Sequence, residues 1–262
     1  RYALQHSRNV AAVKIADEVG MTKVIKLAKE MGISTLTDQD YNLSTALGGL
    51  THGVTPLDMV QAYGVLANGG IKVQPTAILK IVDRNGQVVE EHSIQEKRVV
   101  DEKDAAIITN MLESVINGGT GGNAAIGRPA AGKTGTTDDS KDAWFVGYTP
   151  DLVAAVWIGD DYGSETLHGM TGGDTPAIMW GQFMANALAN TPASDFSVPS
   201  SAQSAISEGY HNPAKAQPKK EDKKDEKADK KDDTGKTTDE KIKSNDKPQK
   251  EEVTEQKSNS SK

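Results

Sequence analysis

The stretch GRPAAGKTGTTDDSKDAWFVGYTP, residues 127–150, is compatible with two local structures, and the choice between them decides the chemistry of the chain. Its first eight residues fit G-x-x-x-x-G-K-T, the pattern of the loop that surrounds phosphate groups in nucleotide hydrolases. Such a loop requires a buried strand before it and a helix that begins directly after Lys133 and Thr134. The same residues can instead form a strand with Lys133 near its middle.

The residues on both sides of the pattern favour the strand. Upstream, NGGTGGNAAI (residues 117–126) is rich in turn-forming glycine. Pro129 removes one of the backbone N–H groups that a phosphate loop depends on. Downstream, glycine, threonine and aspartate follow the lysine, and these residues are poor helix formers. A P-loop nucleotide hydrolase that binds through Gly127–Thr134 is therefore the minor alternative.

On a strand, successive side chains alternate between the two faces, so Lys133 points one way and Thr134 the other. Gly135 has no side chain to obstruct a ligand that lies alongside the backbone. A cation, the hydroxyls of Thr134 and Thr136 and open backbone N–H groups suit a peptide that ends in a carboxylate. Taken alone, K-T-G is more typical of an ordinary surface strand with an exposed lysine.

Start and stop signals mark five helices along the chain. The predicted helices run from Asn9 to about Val19, from a cap at Thr22 to about Met31, from Thr55-Pro56 to Gly69-Gly70, from Asp101 to Asn117, and from Thr175-Pro176 to about Ala189. Asn85-Gly86, between alternating apolar residues, predicts a β-hairpin with a two-residue turn.

Three strand-like runs lie between the fourth and fifth of these helices: AAGKTGTT (130–137), AWFVGYT (143–149) and LVAAVWIGDD (152–161). Their connections are short, which predicts antiparallel pairing, because a parallel return needs a crossover of about a dozen residues. The predicted fold class is α+β, an antiparallel sheet flanked by helices. Asp138-Asp139 and Asp160-Asp161 end these strands, where we expect turn residues and not a pair of catalytic carboxylates.

The composition changes sharply near Pro218. From there to Lys262 the chain has 14 lysines and 13 acidic residues, no aromatic residue, and apolar side chains only at Ala228, Ile242 and Val253. Such a segment buries too little apolar surface to offset the entropy lost on ordering. We therefore expect a folded part at residues 1–195, a linker at 196–217 and a disordered low-complexity tail at 218–262.

Charge and residue types exclude several classes of function. The net charge is −7 and the excess of acid lies before the tail, which argues against nucleic acid as a partner. The chain has no cysteine, and its five histidines are scattered without ligand spacing, so no metal site is expected. No run of residues is long and apolar enough for a membrane helix, and no signal peptide is present.

A second motif, HSRNVAAV (residues 6–13), precedes the first predicted helix. Ser7 and Asn9 are two positions apart and would not face the same way on a helix, so a joint role requires a loop. Taken alone, Asn9 is best explained as the helix N-cap.

Together, S-x-N at Ser7–Asn9 and the later K-T-G resemble two of the three motifs of serine penicillin-interacting enzymes. Four longer stretches are similar, in the same order, to the transpeptidase domain of class A penicillin-binding proteins: ALQHSRNVAAVKIADEVG (3–20), ALGGLTHGVTPLDMVQAYGVLANGG (46–70), AAGKTGTTDDSKDAWFVGYTPDLVAAVWIGDD (130–161) and MTGGDTPAIMWGQFM (170–184). The resemblance covers roughly residues 1 to 190. It implies the penicillin-binding and serine β-lactamase-like fold, incomplete at the N-terminus.

The resemblance also implies an activity and a set of roles. The family acylates a serine with the D-Ala-D-Ala end of a peptidoglycan stem peptide and passes the acyl group to an amine, without a cofactor. Ser7 would relay a proton to the leaving amine, Asn9 would bind the substrate amide and the catalytic lysine, and Lys133 would supply positive potential. The strand residues Thr134, Gly135 and Thr136 would bind the substrate carboxylate, and the Thr136 N–H would be one donor to the oxyanion.

The family's third motif, S-x-x-K, supplies the nucleophile and is expected upstream of Ser7. The only S-x-x-K of the chain is SNDK, Ser244 to Lys247, which lies in the charged tail and cannot hold a serine against a base. A glycosyltransferase domain and a membrane anchor are also expected upstream, which would place the protein on the extracytoplasmic face of a bacterial membrane.

The implied partners are stem peptides, the lipid-linked precursor, β-lactams as inhibitors, and cell-division or elongation proteins. A non-catalytic cell-envelope interaction module, in which the glycine loops are structural and the tail contacts another molecule, is the third alternative.

Overall fold

The computed structural model of the chain describes residues 1–208. The predicted tail, and Ser244 with it, lie outside the described residues. The helices are α1 Tyr2–Gln5, α2 Asn9–Val19, α3 Met21–Met31, α4 Pro56–Ala67, α5 Glu102–Ile116, α6 Thr175–Ala187 and α7 Ser200–Glu208. The strands are β1 Ile71–Val73, β2 Lys80–Val82, β3 Val88–Glu91, β4 Glu96–Arg98, β5 Ala131–Thr136, β6 Asp142–Tyr148 and β7 Val153–Gly159.

The largest sheet of the described residues has three antiparallel strands in the order β5-β6-β7. Lys133 pairs with Val146 and Thr136 with Ala143, so the residues after the lysine form a strand and not a helix. The strand prediction is confirmed, and the helix that a phosphate loop requires after Lys133 is not formed. Because β5 pairs with β6 on one side only, its other edge is free within this sheet.

The core packs helices against both faces of this sheet. Residues of opposite parity point to opposite faces, and on one face Tyr148 packs against α5, with its hydroxyl 2.8 Å from the Thr109 hydroxyl. On the other face the fully buried ring of Phe145 lies 5.2 Å from that of Trp180 in α6. The Trp180 indole N–H donates to the Ala154 carbonyl oxygen at 3.1 Å, which fixes α6 to the sheet. The predicted α+β architecture is confirmed.

A second apolar cluster joins α3, α4 and the segment between them, with Ile25, Ile33, Leu36 and Ala62 buried in it. The intervening segment is held by Asp40, which is 1% exposed. Its carboxylate accepts hydrogen bonds from the backbone N–H and hydroxyl groups of Thr37 and Thr51. These hydrogen bonds hold the pKa of Asp40 well below its usual range.

All five predicted helices form. Two of their predicted N-caps are confirmed and three are wrong. Thr55 caps α4 in a complete capping box with Asp58, and Asp101 caps α5. By contrast, α3 begins at Met21, so Thr22 is a helical residue and not the cap. The reason is Gly20, whose φ of 88° allows the chain to turn directly from α2 into α3.

The other two departures also concern caps. Asn9 is the first residue of α2 and Arg8 occupies the N-cap position without a side-chain hydrogen bond, so the predicted cap is wrong. At α6 the helix includes Thr175, and Asp174 precedes it. The Asp174 carboxylate accepts instead from the N–H and hydroxyl of Thr171, which closes the preceding loop.

The hairpin of β2 and β3 has a longer turn than predicted. Asp83 N–H donates to the Gln87 carbonyl, which leaves three residues, Arg84 to Gly86, in the loop. The Asp83 carboxylate accepts from the N–H groups of Asn85 and Gln87, both at 2.8 Å, and so stabilises the three-residue form. Gly86 takes the left-handed conformation, with φ 80°, that this turn requires.

The paired aspartates of the β5–β6 and post-β7 connections lie in turns, as predicted. Asp160 accepts hydrogen bonds from the N–H and hydroxyl of Ser164, at 2.8 and 2.7 Å.

Candidate active site

The structure brings Ser7 and Lys133 into direct contact although 126 residues separate them. Lys133 Nζ donates a hydrogen bond to Ser7 Oγ at 2.8 Å. Ser7 lies in the short connection between α1 and α2 and has a φ of 51°, a left-handed conformation that is unfavourable for a residue other than glycine. Residues held in such conformations are concentrated at functional sites.

Lys133 is half-buried, and its ammonium group has a second acceptor in the carbonyl oxygen of Thr134, also at 2.8 Å. Burial removes water from the ammonium group and lowers the pKa of Lys133 from 10.5 to about 8. The lysine is therefore mainly charged at neutral pH, yet it can release its proton within the physiological range of pH. That property suits a group that supports proton transfer at Ser7.

The hydrogen-bond pattern of the sheet determines which backbone groups of β5 face its free edge. Thr137 N–H donates to the Asp142 carbonyl, so odd-numbered residues of β5 bond to β6. The even-numbered residues Thr134 and Thr136 consequently direct their N–H groups to the free edge. Within residues 1–208 neither of these N–H groups has an acceptor, which leaves two donors on the free edge of the strand that carries Lys133.

The hydroxyl groups of the same two threonines are held by residues that the sequence did not indicate. Thr134 is 9% exposed, and its Oγ1 lies 2.7 Å from Oγ1 of Thr120, in the loop after α5. Thr136 Oγ1 accepts a hydrogen bond of 3.0 Å from the backbone N–H of Gly172. The glycine pairs that surround Thr120, and the Gly172-Gly173 pair, are the sequence signals of close approach that could have identified both loops.

Gly135 and Asn9 differ from their expected settings. A Cβ atom at Gly135 would lie 3.3 Å from Cβ of Trp144, so the glycine accommodates a neighbouring side chain of the sheet. Asn9 is exposed, and its side chain makes no hydrogen bond with any of residues 1–208. The structure therefore joins Ser7 to Lys133 by a hydrogen bond, and Thr134 and Thr136 lie on the same strand as the lysine, whereas Asn9 takes no part in these hydrogen bonds.

Comparison with known proteins identifies the family of the chain. The family described as penicillin binding protein transpeptidase domain matches residues 1–169 of the chain.

The chain belongs to the penicillin-binding protein transpeptidase family.

Among curated relatives, penicillin-binding protein 1A of Aquifex aeolicus is 40% identical over 200 residues, which cover 76% of this chain and 27% of the relative. Penicillin-binding protein 2D of Bacillus subtilis is 39% identical and is covered to 29%. The chain thus spans between a quarter and a third of these two curated relatives.

A solved structure supports the same assignment for the fold. Penicillin-binding protein 1A from Haemophilus influenzae has a TM-score of 0.70 and 26% identity, with 76% of this chain and 35% of that chain covered. The S-x-x-K motif lies neither in the S-x-N region at Ser7–Asn9 nor in the K-T-G region at Lys133–Gly135.

Within residues 1–208, no group of three or more histidine, aspartate or glutamate side chains is placed to hold a metal ion. In the same residues, every helix is too short or too polar to cross a membrane.

Proposed function

We propose that this chain forms the proton-relay and carboxylate-binding part of a serine D,D-transpeptidase that cross-links peptidoglycan stem peptides ending in D-Ala-D-Ala. The observation that carries this function is the contact between Lys133 Nζ and Ser7 Oγ beside a free strand edge. A serine hydroxyl, a lysine of lowered pKa and unpaired N–H donors are the groups that acyl transfer to a serine requires.

Ser7 and Lys133 move the proton in this reaction. The attacking serine oxygen forms an ester with the penultimate D-Ala carbonyl carbon, and the bond to the terminal D-Ala nitrogen breaks. The proton of the attacking hydroxyl ends on the leaving D-Ala amine, and Ser7 Oγ is the relay for it. Lys133 donates to Ser7 and so orients the lone pair and the proton of that hydroxyl. In the second half of the reaction an acceptor amine attacks the ester and the proton returns by the same relay.

The strand β5 binds the carboxyl end of the donor peptide. The hydroxyls of Thr134 and Thr136 donate to the D-Ala carboxylate, and the charge of Lys133 favours it over a neutral group. The free Thr136 N–H stabilises the oxyanion that develops on the attacked carbonyl. Gly135 keeps the strand narrow at this point, and Asn9, at the border of the site, contacts the substrate amide.

The attacking serine is not one of these residues. Residues 1–208 contain no S-x-x-K, and the family supplies its nucleophile on that motif. We place the nucleophile, together with a glycosyltransferase domain and a membrane anchor, in parts of the full-length protein outside these residues. The lipid-linked precursor and cell-division or elongation proteins are partners of that full-length protein, at the extracytoplasmic face of the membrane.

β-Lactams provide the direct test, because they acylate the same serine. A solved structure of PonA1 from Mycobacterium tuberculosis, 32% identical with a TM-score of 0.57 over 66% of this chain and 51% of that chain, is a complex with penicillin V. Incubation of the complete gene product with benzylpenicillin should add one penicillin mass to the intact protein. The 262-residue chain alone should gain none.

Two controls sharpen this experiment. Lys133→Ala in the complete gene product should react about 10² to 10⁴ times more slowly, the range for loss of a group that supports proton transfer. Peptide mapping should place the adduct on a serine of an S-x-x-K motif. An adduct on Ser7 in the 262-residue chain, or unchanged acylation of Lys133→Ala, would contradict the proposed roles.

The structure favours no second function. A phosphate loop needs a helix N-terminus after Lys133, and β5 occupies that position.

A further inference from the structure

We propose that Thr120 is a positioning residue for the carboxylate subsite: its hydroxyl donates to Thr134 and thereby directs the Thr134 proton toward the bound carboxylate. This inference rests on the proposed function. The sequence motifs of the family do not include Thr120, and the structure brings it to β5 from a loop 14 residues away.

The position of Thr120 is fixed from two sides. Its backbone N–H donates to the Gln5 carbonyl at 3.2 Å, close to Ser7 in the chain. A Cβ at Gly119 would lie 2.4 Å from that same Gln5 oxygen, and a Cβ at Gly173 would lie 2.4 Å from the Thr120 oxygen. Only glycines allow these backbones to approach so closely, so the loop that carries Thr120 cannot shift without moving both neighbours.

The two hydroxyls form an isolated pair. Thr120 Oγ1 and Thr134 Oγ1 are 2.7 Å apart, and within residues 1–208 neither side chain has another hydrogen-bond partner. Each hydroxyl has one proton, so one of the two donates to the other. If Thr134 donated to Thr120, it would have no proton left for a ligand. A carboxylate, which only accepts, therefore selects the order in which Thr120 donates to Thr134 and Thr134 donates to the ligand.

This order also strengthens the contact with the ligand. A hydroxyl that accepts a hydrogen bond becomes a better donor, because the two bonds polarise one another. Thr136 shows the same arrangement with a backbone donor, since the Gly172 N–H donates to its Oγ1 at 3.0 Å. Both threonines of the subsite thus receive a hydrogen bond from a neighbouring loop and keep their own proton for the free edge. Thr120 is exposed, so the pair is open to solvent on the side of Thr120.

Thr120→Val and Thr120→Ser separate this role from simple packing, because valine keeps the shape without the hydroxyl and serine keeps the hydroxyl. The complete gene product would carry each change, and the rate constant for acylation would be measured with benzylpenicillin and with benzylpenicillin methyl ester. Valine should slow the reaction with benzylpenicillin about three- to tenfold, as expected for loss of one hydrogen bond between neutral hydroxyls. The rate with the methyl ester should change less than about twofold, and serine should restore the benzylpenicillin rate.

Thr35→Val is the matched control, since it removes a threonine hydroxyl that donates to the Gly53 carbonyl in the segment between α3 and α4. It should leave both rates unchanged. Melting curves of all variants show whether they fold. If Thr120→Val does not fold, the test is the ratio of the benzylpenicillin rate to the methyl ester rate in Thr120→Ser. That ratio should equal the wild-type ratio.

Three results would overturn the inference. Equal losses with the acid and the ester would assign Thr120 a structural role only. An unchanged benzylpenicillin rate in Thr120→Val, or an altered ratio in Thr120→Ser, would remove its hydroxyl from the subsite. No adduct with the wild-type protein would overturn the proposed function itself, and the inference with it.

Discussion

Raising the pH from 7 to 9 should discharge Lys133 and weaken the reaction of the site with carboxylate ligands. Burial lowers the pKa of this lysine to about 8, whereas an exposed lysine titrates near 10.4. The charged fraction of Lys133 therefore falls from about nine tenths at pH 7 to about one tenth at pH 9. If binding of the carboxylate depends on that charge, the second-order rate constant with benzylpenicillin falls about tenfold over this range.

Stopped-flow or quenched acylation of the complete gene product at fixed ionic strength would measure this profile. The second-order constant reports the free enzyme, so the midpoint of the decline gives the pKa of Lys133 before the ligand binds. The methyl ester of the same penicillin is the control, because without a carboxylate its rate should decline less. A rate with benzylpenicillin that stays constant to pH 9, or declines only near pH 10, would refute the assignment of the charge to Lys133.

Folding stability should respond with the opposite sign. The pKa of Lys133 is lower in the folded than in the unfolded chain, so the unfolded chain binds more protons between pH 8 and about pH 10. The contribution of Lys133 to stability consequently rises with pH in that window, and it should disappear in Lys133→Met. Opposite pH trends of reactivity and of this stability difference would distinguish loss of charge at the site from general alkaline unfolding.

Three further predictions follow from the packing. Gly172→Ala should lower the melting temperature and slow acylation by benzylpenicillin, because the new Cβ would lie 2.2 Å from the Trp144 carbonyl oxygen. The control is Gly64→Ala, in the middle of α4, where a Cβ would have no atom within 4 Å; it should stabilise the fold by about 0.5–1 kcal/mol. Arg128→Met should reduce the urea midpoint, because the guanidinium donates to three carbonyl groups at the end of α6 and after it, and an unchanged midpoint would show those bonds to be dispensable. ATP with Mg²⁺ should not raise the melting temperature, although a ligand at 100 times its Kd would stabilise the fold by about 2.7 kcal/mol.

The helix starts show how far local sequence determines structure. The start of α4 was predictable because its cap, proline and capping carboxylate lie within four residues and bond to one another. The start of α3 was not, since Gly20 lets α3 follow α2 directly without any side-chain cap. The hairpin loop was misjudged for a related reason: the Asp83 carboxylate bonds to two N–H groups of the turn and favours three loop residues over two.

The site was predictable only in part, because its contacts are far apart in sequence. The pairing of Ser7 with Lys133 came from a family resemblance, since no local rule relates residues 126 positions apart. Thr120 and Gly172 were missed altogether, as their partners on β5 lie 14 and 36 residues away. Glycine pairs beside both residues were visible in the sequence, but without a fold they indicate only turns.

The aromatic core explains why Gly132, Lys133 and Thr134 form part of a strand and why Lys133 lies on the face of the sheet toward Ser7. A Cβ at Gly132 would lie 2.7 Å from the Phe145 ring, so this glycine makes room for the core and does not serve a phosphate. Phe145 pairs with Thr134, which places both on the face that packs against α6 and leaves Lys133 on the opposite face, toward Ser7. A slip of one residue would direct Lys133 into the buried aromatic core and exchange the backbone groups at the free edge. The cost of burying an ammonium group there excludes that register, so the packing of Phe145 also fixes which N–H groups face the free edge of β5.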